Sequence, residues 1–176
     1  MREIERGLRL LAENKIYCVI VGGVAAGAHG SSHGTSDVDA CYARDPENLK
    51  KLAEALRSVH ATLRGAPKDI PFILDDETLR RGLNFTFETD IGDLDLLGEV
   101  RGVGRYEECL ENAVTIDLFG HSFQVLSLEK LIAAKRTAGR TKDLLVLPEL
   151  EAILEYEKAS EANPSRANRS DDETES

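Results

Sequence analysis

Residues 20–42 read IVGGVAAGAHGSSHGTSDVDACY. An apolar run ends in Gly22-Gly23, a short Ala-rich segment follows, and Asp37-Val38-Asp39 leads into a second apolar run. Carboxylates at i and i+2 of a strand project from the same face. Beside a glycine turn that opens a helix, such a pair has the makings of a two-metal phosphoryl-transfer site. Gly22-Gly23 lets the backbone approach a phosphate with no Cβ in the way. The following helix adds N–H groups and the positive end of its dipole. The stretch is not a P-loop, because no Gly-Lys-Ser/Thr follows.

Mg²⁺ takes hard oxygen ligands, so a third carboxylate is expected from a neighbouring strand. Asp95, between Leu94 and Leu96, is the first choice, and Asp117, between Ile116 and Leu118, the second. Asp93 shares the face of Asp95 but lies nearer the strand end. A lone Asp-x-Asp is more often a pair of solvent-facing strand residues. The Gly-Gly turn and helix at the right distance upstream turn the balance toward a metal site.

The 176 residues suit one domain with a real core, assigned to 1–159. Residues 160–176, SEANPSRANRSDDETES, are almost free of apolar side chains and read as a disordered acidic polar tail. A net charge of -10 argues against broad DNA binding, which needs a basic face. No apolar run approaches a membrane span. The charged, amphipathic MREIERGLRLLAEN lacks the features of a signal peptide and points to a cytoplasmic location. Cys18, Cys41 and Cys109 are odd in number, widely spaced and in apolar settings, which reads as buried thiols.

Periodicity predicts helices over 3–14, 24–29, 46–58, 127–136 and 141–159, the last with a possible break at Pro148. Strands are expected at 16–21, 38–43, 60–64, 83–88 and 92–97, with a hairpin of 114–119 and 122–126 around Gly120-His121. Residues 65–81, broken by Pro67 and Pro71, read as irregular. Strands and helices mix without a strict βαβ rhythm, which implies an α+β (mixed α/β) domain: a mixed sheet with helices packed against it. Lys130, Lys135, Arg136, Arg140 and Lys142 form the one dense basic run, either a phosphate-binding wall or a solvated helix face. Phe85 and Phe87 read as core. His29 and His33 are four apart, but Gly30 and Gly34 argue against the continuous helix that a zinc pair needs.

Together these residues resemble the DNA polymerase β-type nucleotidyltransferase superfamily. The pattern is Val21-Gly22-Gly23, then Asp37-Val38-Asp39, then Leu94-Asp95-Leu96. More narrowly, Ala28-His29-Gly30, Thr35-x-Asp37-Val38-Asp39 and Gly92-Asp93-Leu94-Asp95-Leu96-Leu97 resemble small bacterial nucleotidyltransferase-like proteins related to abortive-infection toxins. The likeness runs on through Leu126 to Lys135 and Gly139-Arg140-x-Lys142-Asp143-Leu144. It implies transfer of a nucleoside monophosphate from an NTP, ATP among them, to an acceptor hydroxyl, with Mg²⁺ or Mn²⁺ as cofactor.

On that resemblance Asp37, Asp39 and Asp95 hold metal and are catalytic. Gly22, Gly23, Thr35, Lys135, Arg140, Lys142 and Asp143 serve the nucleotide. The acceptor would be RNA or a protein, with an antitoxin as partner; the alternatives are a small-molecule acceptor or a catalytically weak NTP- or partner-binding module. The chain departs from its relatives at His33, where they carry Arg, and at Val146, where the toxins carry Asp.

Overall fold

A computed structural model of the protein describes residues 2–67 and 72–162. Its centre is a seven-stranded mixed sheet in the order β3-β4-β5-β2-β1-β7-β6. The element order is α1 (Arg2–Glu13), β1 (Cys18–Val21), α2 (Gly22–Ala28), β2 (Asp37–Tyr42), α3 (Pro46–Ser58), β3 (Thr62–Leu63) and α4 (Asp76–Arg81). It continues with β4 (Asn84–Glu88), β5 (Asp93–Leu97), α5 (Tyr106–Glu111), β6 (Ala113–Leu118), β7 (His121–Leu126), α6 (Leu128–Ala138) and α7 (Thr141–Ala162).

β1 runs antiparallel to β2 and parallel to β7, while β2 runs parallel to β5. The β-branched, apolar β1 therefore lies inside the sheet, and all four of its residues are buried. In β2 the alternation separates two surfaces. Val38 and Ala40 point to one face and are buried, and α1 packs on that side so closely that a Cβ on Gly7 would sit 3.0 Å from Val38 Cγ2. Asp37, Asp39 and Cys41 point to the other face. There α5 covers the far end, with Cys109 against Cys41, and the near end is left open at the two aspartates.

The helix at 46–58 forms with the expected ends. Asp45 accepts from Asn48 N at 3.0 Å and Pro46 fills the first turn. Asn48, fully buried, also ties Tyr17 and Ala43 through three side-chain bonds to backbone: its Oδ1 accepts from Tyr17 N, and its Nδ2 donates to the carbonyls of Tyr17 and Ala43. The expected hairpin of β6 and β7 forms in full register.

Three expectations need correction. Residues 65–81 are not irregular throughout: α4 closes the segment, with Asp75 as N-cap accepting from Thr78 N at 2.8 Å. The signal was Asp75 ahead of an acid-then-base sequence, masked by the prolines upstream; Pro71 itself lies outside the described residues. α7 is continuous through Pro148, because the bond it removes falls on the carbonyl of Leu144, an exposed residue. α7 also runs to Ala162, beyond the expected end at 159; residues 163–176 of the proposed tail lie outside the described residues. Ser127 does stand at the N-cap of α6, but its hydroxyl makes no cap bond. Among the described residues no helix is long and apolar enough to cross a membrane.

Asp75→Ala tests the overlooked helix. Loss of the cap should cost about 1 kcal/mol, read as a lowered urea midpoint with an unchanged slope.

Candidate active site

The register of β2 against β5 builds the site. Asp37 pairs with Asp93 and Asp39 with Asp95. Partners in adjacent strands project to the same face, so the four carboxylates form a two-by-two block on the open side of the sheet. Carboxylate oxygens of Asp37, Asp39 and Asp95 all lie within 4.8 Å of one another. Asp117 is not part of this group; it sits on β6 at the far edge of the sheet, bonded to Ser122.

The glycine turn is shaped by the same carboxylates. Val21 pairs with Asp39, so Gly22 lies directly beside that side chain. A Cβ on Gly22 would fall 2.0 Å from Asp39 Oδ2, and its φ of +64° is itself one that side chains rarely adopt. A Cβ on Gly23 would fall 2.5 Å from the Cβ of Thr35. Thr35 in turn donates from Oγ1 to Asp37 Oδ1 at 2.6 Å, so this residue positions a carboxylate as well as lining the cleft.

The electrostatics mark an excess of negative charge. Burial, then Asp37 and Asp95, push the Asp39 carboxyl up to about 7, against the opposing pull of the Gly23 N–H and Lys142. Burial also raises Asp95, with Arg64 opposing. Hard oxygen donors, close-set and incompletely neutralised, fit a divalent cation of the Mg²⁺ or Mn²⁺ type.

The basic run divides in two. Lys135, Arg140, Lys142 and Asp143 line the same cleft of about 980 Å³ as the glycines and aspartates. Asp143 is buried and accepts from Arg140 Nε at 2.6 Å and Lys135 Nζ at 3.4 Å. Burial works to raise the Asp143 carboxyl, but these two cations outweigh it and hold it below the usual range. Arg140 also feels Asp39 and Asp37 across the cleft. Arg136, by contrast, is exposed and paired with Glu151. Lys130 does not line the cleft.

Two residues that sequence reasoning missed hold the site together. Arg64, just after β3, bonds both Asp93 and Asp95. Glu149 on α7 accepts from Ser31 Oγ, from the N–H and hydroxyl of Ser32, and pairs with His33 Nδ1 at 2.8 Å. These bonds hold Glu149 down at about 2 and clamp the loop that carries Thr35. His33 thus faces a carboxylate. His29 takes a different partner, the carbonyl of Leu126 at 2.8 Å. Val146 is buried in the cleft wall, packed with the core. Phe85 and Phe87 stack at 5.7 Å within the core.

No protein-family model and no curated protein sequence matches the chain. Solved structures do. The crystal structure of ANT(2")-Ia in complex with adenylyl-2"-tobramycin aligns over 88% of this chain and 89% of that one, with a TM-score of 0.57 at 16% identity. The solution structure of the antibiotic-resistance factor ANT(2'')-Ia aligns over 91% of both chains, with a TM-score of 0.54 at 13% identity. A provisionally named nucleotidyltransferase of Thermotoga maritima aligns over 82% of this chain and 89% of that one, with a TM-score of 0.51 at 17% identity. At such identities the likeness is one of architecture, and it is nearly end to end: the chain carries the nucleotidyltransferase fold.

Proposed function

We propose that the protein transfers a nucleoside monophosphate from an NTP to an acceptor hydroxyl. The observation that carries this reading is the block of Asp37, Asp39 and Asp95 on one strand face, in a single cleft with Gly22-Gly23 and the cations of the α6–α7 junction. Asp37 and Asp39 would hold Mg²⁺ or Mn²⁺, with Asp95 as the third ligand. The bound cation would neutralise triphosphate oxygens and favour the ionised acceptor.

The chain's own groups account for the rest. Gly22 and Gly23 admit phosphate oxygens to the backbone. Lys142 and Arg140 supply positive charge opposite the carboxylates. Asp95, whose carboxyl burial raises, accepts the acceptor's proton. The acceptor oxygen attacks the α-phosphorus, the bond from that phosphorus to the bridging oxygen breaks, and pyrophosphate leaves.

The resemblance of the motifs to toxin nucleotidyltransferases favours RNA or a protein as acceptor, with an antitoxin as partner. A second reading, a small cationic acceptor, has one specific support. Glu99 adds a further acid to the carboxylates of the cleft, which Asn84 and Arg101 also line, in a chain whose architecture is shared with a protein in complex with adenylyl-2"-tobramycin.

The test is incubation of the purified protein with each α-labelled NTP and Mg²⁺ or Mn²⁺, in the presence of total RNA, a protein extract or an aminoglycoside panel. Label moved to one of these, with pyrophosphate released, and lost in Asp37→Asn/Asp39→Asn, establishes the activity and its acceptor class. NTP binding without transfer to any of them would leave a binding module. No NTP binding at all would end the nucleotide reading.

A further inference from the structure

Within the block of carboxylates, and among the described residues, a cation is in direct contact with one column only. Asp37 accepts from the Thr35 hydroxyl and Asp39 from the Gly23 N–H, both neutral donors. Asp93 and Asp95, the other column, share Arg64, at 2.5 Å from Asp93 Oδ2 and in closer contact with Asp95. We propose that Arg64 is a built-in cation that occupies Asp95 in the resting site and opposes the binding of a metal ion there. This rests on the functional reading above, in which Asp95 is a metal ligand.

The placement of Arg64 is not that of a chance surface pair. Its backbone N–H donates to the carbonyl of Thr86 at 2.9 Å, and Thr86 is the residue of β4 registered against Asp95 of β5. The side chain therefore starts opposite Asp95 and crosses one strand to reach it. Its guanidinium is a flat fork that serves two carboxylates at once and carries its charge at any pH in question. One oxygen of Asp95 is taken by this fork. Asp37 and Asp39 are left as the column with the stronger claim on an incoming cation. The third carboxylate becomes fully available only when the guanidinium yields. Arg64 thus acts through Asp95, as a positioning residue that sets the order in which the carboxylates are engaged.

The experiment is a Mn²⁺ titration of the full chain, followed by electron paramagnetic resonance at mildly alkaline pH. Wild type is compared with Arg64→Gln, Arg64→Lys and Asp37→Asn, and thermal melts report whether each is folded. Removing one positive charge beside the carboxylates should tighten Mn²⁺ binding about tenfold in Arg64→Gln. Arg64→Lys, which keeps the charge, should stay near wild type; Arg64→Ala is a second charge-free variant if glutamine unsettles the sheet. Saturable wild-type binding that is lost in Asp37→Asn but unchanged or weaker in both charge-free variants overturns the role of Arg64 and leaves the metal site standing. No saturable binding in wild type or in either charge-free variant overturns both.

Discussion

Asp39→Asn is expected to remove nucleotidyl transfer, by about a thousandfold or more, while making the metal-free protein more stable. The two effects have one cause. Asp39 sits half-buried between Asp37 and Asp95 and beside Gly22, so partial burial and like-charged neighbours both disfavour its ionised form. Its carboxyl is pushed up to about 7 as a result. In the unfolded chain the same group ionises near 4. Between these two values the folded protein retains a proton that the unfolded chain has released. Stability therefore falls as pH rises through this window, and stays reduced above it.

A displacement of about three pH units corresponds to at most about 4 kcal/mol, and relaxation of the open cleft brings the expectation to about 2 kcal/mol. Asparagine has no proton to lose, and its amide oxygen can still accept from the Gly23 N–H. Urea denaturation with a chelator present should show the variant more stable than wild type at pH 8, with the gap closing toward pH 4. A variant less stable at pH 8 would mean that the carboxylate has a compensating partner in the fold. Asp143 gives the opposite sign. Its carboxyl is held low by Arg140 and Lys135, so its contribution is present above the ordinary carboxylate range and is lost as pH falls through its folded value.

The parts of the site legible in the sequence are those whose chemistry and spacing are local. Asp37-Val38-Asp39 needs only strand alternation to put two carboxylates on one face. Gly22-Gly23 needs only the observation that an apolar strand stops at two residues without side chains. Asp95 ranks ahead of Asp117 as the third carboxylate, although both lie between apolar neighbours and local pattern separates them poorly. The physical reason for the outcome is strand order: β5 lies next to β2, and β6 lies at the sheet's far edge. Arg64 and Glu149 were out of reach for the same reason. Arg64 meets its partners 29 and 31 residues later, across β4. Glu149 meets the Ser31–His33 loop from 116 to 118 residues away. No local pattern encodes such pairings. The basic run shows the converse limit, since adjacency in sequence put Arg136 and Arg140 in one group and the turn of α6 sent them to different surfaces.

Gly22→Ala should be the most damaging single methyl that can be added to α2, and Gly27→Ala in the same short helix its built-in control. At Gly22 two penalties combine. Alanine at a φ of +64° costs about 1–2 kcal/mol by itself. Its Cβ would also lie 2.0 Å from Asp39 Oδ2, 2.6 Å from Cγ and 2.8 Å from Cβ. Rotating the Asp39 side chain can relieve the first two contacts but not the third, because Cβ is fixed by the backbone. Relief then requires β1 and β2 to part at the Val21–Asp39 pair, inside the sheet. The expected loss is about 3 kcal/mol in all, or about 10 °C in Tm for a domain of this size. Transfer activity should fall at least about a hundredfold in whatever remains folded, because Asp39 is the carboxylate displaced. At Gly27 no atom of the described residues lies within 4 Å of the added methyl and φ is not positive. There alanine should be neutral or stabilising by about 0.5–1 kcal/mol, since it narrows the unfolded ensemble and suits a helix. Thermal melts and the labelled-NTP assay on the two variants separate the claims. A Gly22→Ala protein that melts and reacts like wild type would mean that the glycine turn does not hold Asp39 in place, and the cleft would lose its link between the phosphate-facing backbone and the carboxylates.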